Sequence, residues 1–202
     1  MEDRKAKIEF IRNNSFGILF SLHEGGPWAT HTPFIYVENE GSNDVLLCHM
    51  AKANPQWKDI ESSKVLVVFQ GLHAYITPSW YTEKNQVPTW NYVTVHATGT
   101  ASLLDGEAKK DLIMRMLEFY QSDAGMVGHL EEEPFRSMLR ATAGVRITVE
   151  KLEGKAKLNQ NKSVGSRMNV AEQLLKSDNP VTRNLGRTMI EELASLDRKQ
   201  QV

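Results

Sequence analysis

Tyr92-Val93-Thr94-Val95-His96-Ala97-Thr98-Gly99-Thr100 (YVTVHATGT, residues 92–100) alternates without a break. Val93, Val95, Ala97 and Gly99 point one way, and Tyr92, Thr94, His96, Thr98 and Thr100 the other. This is the period-two pattern of a strand with one face buried. Upstream lie further strand candidates: ILFSL (18–22), Trp28 to Val37, residues 44–49, the β-branched and aromatic run VLVVF (65–69), read as fully buried, and AYI (74–76). Glu24-Gly25-Gly26-Pro27 joins the first two as a hairpin turn. Downstream, VRITVEKL (145–152) is the last strand. Six or seven strands with few interruptions predict an antiparallel barrel with peripheral helices, a mainly β fold with flanking α.

The helices are legible by their 3.6-residue spacing. Residues 2–13 place Ile8 and Ile11 on one face. Residues 106–121 carry a stripe of Leu112, Ile113, Met116, Leu117 and Tyr120. A shorter helix near 133–142 starts at Pro134, with the acidic run Glu131-Glu132-Glu133 at its positive end. Two more, 167–176 and 180–196, are separated by Asp178-Asn179-Pro180, with Asn179 as cap. That pair superficially resembles a helix–turn–helix, with Arg183 and Arg187 one turn apart. Leu174, Leu175, Leu185, Met189 and Leu193 instead read as two apolar faces that dock on the barrel and leave the arginines as a solvated face, and the turn lacks glycine.

The 202 residues fit one domain, alone or with a small appendage. A hydrophobic fraction of 41% and a charged fraction of 24% are ordinary for a soluble globular chain. No apolar run approaches the ~18 residues of a membrane span, and the charged start MEDRKAKIEF lacks a signal-peptide core, so a cytoplasmic location is expected. The single cysteine, Cys48, excludes an internal disulfide and any multi-cysteine metal site, and reads as a small buried hydrophobe. Net charge is −1, against a broadly basic nucleic-acid surface. Residues 1–150 carry 14 Lys+Arg against 19 Asp+Glu, and residues 151–202 carry 10 against 6. Only the C-terminal quarter has a positive field, and a weak one, so support for DNA contact is slight.

Three stretches carry chemistry. In Ala29-Thr30-His31-Thr32-Pro33-Phe34, the Thr30 and Thr32 hydroxyls share a strand face with His31 opposite, and Pro33 removes a ladder donor. A ligand can use the freed backbone groups; an edge strand with no ligand is the plain alternative. In Cys48-His49-Met50-Ala51-Lys52-Ala53-Asn54-Pro55-Gln56-Trp57, a strand ends at His49 and a short helix is expected from Ala51. Its N-terminus would present free N–H groups to an anion, with Lys52 beside them, unless Lys52 is merely solvated. From His73 to His96, seven aromatic or imidazole side chains fall within 24 residues around Pro78 and Pro88: His73, Tyr75, Trp80, Tyr81, Trp90, Tyr92 and His96. Read as one loop, they suit a flat heteroaromatic ligand or a subunit interface better than a minicore. No G-x-G-x-x-G, Walker, H-E-x-x-H or G-x-S-x-G motif is present. His31 and His49 lack neighbouring carboxylates or thiolates in the sequence, so no metal site is expected.

THTPF, HMAKANPQW, AYITPSWY and VPTWNYVTVHATG, in this order, closely resemble the bacterial PaiB family of FMN-binding negative transcriptional regulators. The resemblance spans essentially the whole chain and includes Lys157-Leu158-Asn159-Gln160-Asn161, where the family favours K-L-S-Q-N and Asn159 departs from it. It is in turn similar to the flavin-reductase and pyridoxamine-phosphate-oxidase split barrels, homodimers with FMN at the subunit interface. The resemblance implies an FMN-binding split-barrel domain over residues 1–155 with inserted helices. Residues 156–202 follow as a helical appendage on the barrel or on a dimer partner. It implies FMN as cofactor, with the phosphate near Lys52 and His49 and the ring near Thr30, His31, Thr32 and Pro33. Met50, Ala51, Asn54, Ser79, Trp80, Tyr81, Trp90, Asn91 and Gln160 complete the implied set. Heme and F420-like cofactors are the ligand alternatives. Regulation of sporulation and degradative-enzyme or protease genes is the implied role; an FMN-dependent oxidoreductase or flavin reductase is the alternative.

Overall fold

Thr89–Leu104 forms a single strand whose burial alternates as the sequence predicts, with Asn91, Val93, Val95, Ala97 and Ala101 on the buried face. It is one of six strands among the described residues: β1 (Phe16–His23), β2 (Gly26–Glu40), β3 (Asn43–Ala51), β4 (Lys64–Ile76), β5 (Thr89–Leu104) and β6 (Thr142–Lys157). The computed structural model describes residue 1, residues 3–120 and residues 132–200, with side chains to residue 195. Glu131 of the acidic run therefore lies outside the described residues.

The strands close into a barrel in the order β1-β2-β3-β6-β5-β4. β1 and β2 form a hairpin in register Leu22↔Pro27 and His23↔Gly26. Its two-residue turn, Glu24-Gly25, has φ of 50° and 75°, the primed geometry that matches strand twist. β2 pairs with β1 up to Pro33 and with β3 from Phe34 onward. Pro33, which has no N–H to give, thus stands where the pairing changes hands. β3 pairs with β6 from Val45↔Thr148 to Ala51↔Thr142, and Ile18↔Val68 joins β1 to β4.

Two helices beside the barrel account for much of its burial. α1 (Arg4–Asn13) is capped by Asp3, whose side chain accepts from Lys5 N at 3.1 Å, and it buries Ile8 and Ile11. α2 (Gly106–Tyr120) lays Leu112 and Met116 against Ile35, Val45 and Leu47. Because α2 covers one face of β3, Val45 to Cys48 is the run buried on both faces, and Cys48 is fully buried as expected. VLVVF, read as fully buried, is instead buried on one face: Val65, Val67 and Phe69 are inside while Leu66 and Val68 are half-exposed. AYI is not a separate strand but the far end of β4. A third helix, α3 (Glu133–Arg140), precedes β6, with Pro134 in its first turn.

The chain divides into two compact units. Residues 2–69 and 95–153 make one, with the whole of β1, β2 and β3 and parts of β4, β5 and β6. Residues 70–94 and 154–202, with Met1, make the other. In the second unit α4 (Val164–Leu175) packs on α5 (Pro180–Gln200), burying Val170, Ala171 and Leu174 with Leu185, Met189 and Leu193. Asn179 caps α5, its Oδ1 accepting from Val181 N at 2.9 Å. The segment after β4 is stapled to α4: Thr82 N donates to Ser166 Oγ at 2.8 Å, and Asn169 Nδ2 to the Trp80 carbonyl at 2.7 Å.

Candidate functional site

At one end of the barrel, β3 stops, β6 starts and α2 begins. The chain leaving β3 does not become a helix at Ala51, as its sequence suggests. Ala51 is still strand, Lys52 N is bonded to the Ala141 carbonyl at 2.8 Å, and only a 3-10 turn, Pro55–Lys58, follows. Ladder pairing of Ala51 with Thr142 outcompetes helix initiation. The helix-dipole argument for an anion at Lys52 therefore fails, and any anion there must be held by side chains.

The barrel brings several of the expected residues together. Thr32, only 4% exposed, donates from Oγ1 to the His49 carbonyl at 2.8 Å. Asn54 Nδ2 donates to Thr30 Oγ1 at 2.7 Å, and Asn54 Oδ1 accepts from Gln56 N at 3.1 Å. The Thr30 hydroxyl thus serves the loop after β3 and the Thr32 hydroxyl serves β3 itself, and Thr32, as a donor, keeps its lone pairs for a further donor. Gln56, fully buried, donates to the Leu19 carbonyl and to Ser21 Oγ, which ties that loop to β1. Met50 is buried, Ala51 and His31 are exposed, and His31 stacks on Phe16 with ring centroids 6.4 Å apart. His49 Nδ1 lies 3.1 Å from Met116 Sδ, and burial pushes its pKa below the ordinary imidazole value. Burial thus favours the neutral ring, which weakens the case for His49 as a positive partner for a phosphate.

Lys52 is exposed and borders a cleft of about 140 Å³. Trp57, whose indole N–H bonds the Lys52 carbonyl at 3.0 Å, forms one wall. Leu104, Asp105, Lys109, Thr142 and Ala143 line the remainder. Lys109, Asp105 and Thr142 were not anticipated from the sequence. One signal was available: Lys109 occupies the stripe 109, 112, 113, 116, where a charge interrupts an otherwise apolar face of α2.

The remaining expected residues belong to the second unit. The aromatic stretch is not one loop, since its ends are β4 and β5, and its rings do not share one face. His73 and Tyr75 meet Trp90 at centroid distances of 6.3 and 6.0 Å, with Tyr75 and Trp90 about half-exposed. Tyr81 turns inward to 8% exposure, with the Lys162 ammonium 5.3 Å from its ring centroid. Asn91 is fully buried, its amide 3.6 Å from Met189 Sδ, while Ser79 is exposed in a 3-10 turn, Pro78–Trp80. Gln160 closes a tight turn around Asn159, accepting from Leu158 N at 2.9 Å and donating to the Ala156 carbonyl at 2.8 Å. Asn159 adopts φ of 61° there, a conformation Asn tolerates better than most residues. That preference gives Asn159, where the family pattern has Ser, a conformational reason.

Residues 1–151 match the family model described as "Putative FMN-binding domain". The chain is 37% identical over 188 residues to the protease synthase and sporulation protein PAI 2 of Bacillus subtilis, covering 91% of this chain and 90% of that one. The chain belongs to the PaiB family. FMN is the cofactor of this family's domain. Solved structures with the same fold as this PaiB-family chain include the flavocytochrome Anf3 of Azotobacter vinelandii. Its TM-score is 0.60 at 16% identity, over 77% of this chain and 68% of that one. An FAD- and heme-binding protein of Mycobacterium smegmatis gives 0.61 at 13%, over 83% and 78%. At these identities the likeness is one of fold. The PaiB-family barrel is thus a flavin-type split barrel with its own helices.

Proposed function

We propose that this PaiB-family protein is a flavin-dependent negative regulator of transcription, acting on sporulation and protease or other degradative-enzyme genes as a homodimer. The observation that carries this reading is the 37% identity to PAI 2, in an alignment that covers 91% of this chain and so reaches into both compact units. FMN is held at the barrel end by the Lys52 side chain at its phosphate and by Thr30 to Pro33 at its ring. A charge-assisted contact from Lys52 supplies most of the phosphate affinity. The isoalloxazine would supply redox or light-absorbing chemistry; this chain's residues bind, orient and shield it. No helix among the described residues is long and apolar enough to cross a membrane, in keeping with action inside the cytoplasm.

The homodimer reading rests on exposed apolar surface. Trp90 and Tyr75 in one unit, and Phe16 (65% exposed) and Leu22 (62% exposed) along β1 in the other, are large side chains left in water. Sedimentation at micromolar concentration should return a dimer; a monomer contradicts this part of the reading. Direct DNA contact by α4 and α5 is the weaker element. Arg183 is engaged with the Ser177 carbonyl at 2.8 Å, closing the turn between the helices, so repression through a partner or an indirect contact fits better.

The second reading, an FMN-dependent oxidoreductase or flavin reductase, draws on the barrel's likeness in fold to a flavocytochrome. NAD(P)H oxidation by the FMN-loaded protein separates the two. Absence of turnover together with flavin-dependent operator retention, direct or with a partner, supports the regulator. Robust turnover without any operator effect supports the enzyme.

A further inference from the structure

Lys109 is a charged side chain only 8% exposed, at the floor of the cleft that Lys52 borders. Its ammonium has three protons to place. Its contacts are long: 3.4 Å to the Thr142 carbonyl and 3.5 Å to Asp105 Oδ1, both beyond the usual 2.7–3.2 Å range. Asp105 is itself almost fully solvated, with 96% of its side chain exposed, so it is a weak counter-ion. Burying an ammonium without close partners is costly. Nothing in the apolar packing of α2 requires a lysine at this position, where Leu112, Ile113 and Met116 fill the rest of the stripe.

The side chain is also held in place. A methyl added at Gly144 would lie 3.2 Å from Lys109 Cγ and 3.1 Å from Leu112 Cδ2, so the lysine stem runs tightly over a glycine in β6. Lys52 is anchored to the same spot, its N–H bonded to the Ala141 carbonyl and its neighbour Ala51 paired with Thr142. Two cations, one exposed and one nearly buried, therefore line the same cleft at the start of β6, with Trp57 beside them.

We propose that Lys109 is a second phosphate-holding residue of the flavin site, the buried cation that completes the Lys52 cleft for a dianionic phosphate monoester. This rests on the placement of the FMN phosphate at Lys52 given above. A phosphate seated between the two lysines gives the Lys109 ammonium the short charge-assisted contacts it lacks. A flavin without the phosphate gains nothing from it. Lys109 thereby sets specificity for FMN over riboflavin.

The test is a pair of fluorescence titrations of the full-length protein, with FMN and with riboflavin, on wild type, Lys109→Met, Lys109→Arg and Lys52→Ala. Lys109→Met should weaken FMN at least tenfold, about 1.4 kcal/mol, and leave riboflavin unchanged, while Lys109→Arg retains most of the preference. If Lys52→Ala lowers the FMN-to-riboflavin ratio but Lys109→Met and Lys109→Arg leave it at the wild-type value, Lys109 is only a structural lysine and the proposal falls. If neither Lys109→Met nor Lys52→Ala changes the ratio, the phosphate sits elsewhere, and the placement at Lys52 falls with it. Should Lys109→Met fold poorly, Lys109→Gln decides by the same ratio, an unchanged value again overturning the proposal.

Discussion

Lys52 and Lys109 differ in how much of their role can be read from the chain. Lys52 stands in HMAKANPQW, one of the motifs that carry the family resemblance, and directly follows β3. Lys109 belongs to no motif, and only the fold brings it to Thr142 and Lys52. His49 shows the same limit in a titrating group. As a strand-end histidine beside Lys52 it reads as a phosphate partner, yet burial against Met116 lowers its pKa and favours the neutral ring. A folded-state pKa below the unfolded value of 6.5 stabilises the fold above that pH, and the contribution is lost as pH falls through the depressed value. Melting temperature should therefore drop between about pH 7.5 and pH 5.5. In His49→Gln the drop should be smaller, and equal drops in the two proteins would show that His49 is not the group responsible.

At the scale of elements, the strands and long helices follow from periodicity and turn chemistry, as the Glu24-Gly25 turn and the alternation in β5 illustrate. The failures have physical causes. The expected helix at Ala51 loses to a ladder partner, Thr142, that lies 91 positions away and is invisible to local propensity. The aromatic stretch reads as a loop because two prolines break it, but Pro78 only starts a 3-10 turn, and Pro88 directly precedes β5. The docking of α4 on α5 depends on a close approach that the apolar pattern alone does not reveal. At Gly186 an added methyl would stand 2.7 Å from the Ala171 carbonyl oxygen and 3.1 Å from Leu174 Cβ. Gly186→Ala should thus cost about 1–3 kcal/mol by forcing the helices apart, despite alanine's better helix propensity. Calorimetry should show a melting temperature lower by roughly 2–4 °C per kcal/mol. A rise in melting temperature would mean that the helix pair gives way at no cost.

Taken whole, the chain forms a closed six-strand barrel, and in the second unit the aromatic segment packs with the C-terminal helices. The likeness to PAI 2 covers 91% of the chain and so reaches both units. The barrel class was legible because its strands are consecutive and amphipathic. The cleft was not, because its walls come from Lys52 just after β3, a 3-10 turn, the end of β5, α2 and the start of β6, spread over residues 52–143. Net charge of −1 across the chain gives no broad attraction for DNA, which makes flavin binding, rather than nucleic-acid binding, the function that the barrel's own chemistry supports. The most direct test is the absorption spectrum of the purified protein, recorded as isolated and after incubation with FMN followed by gel filtration. The account predicts the two-banded flavin spectrum, retained at close to one FMN per chain and lost on Lys52→Ala at low flavin concentration. A heme spectrum, or a protein that emerges colourless after FMN loading, would contradict it.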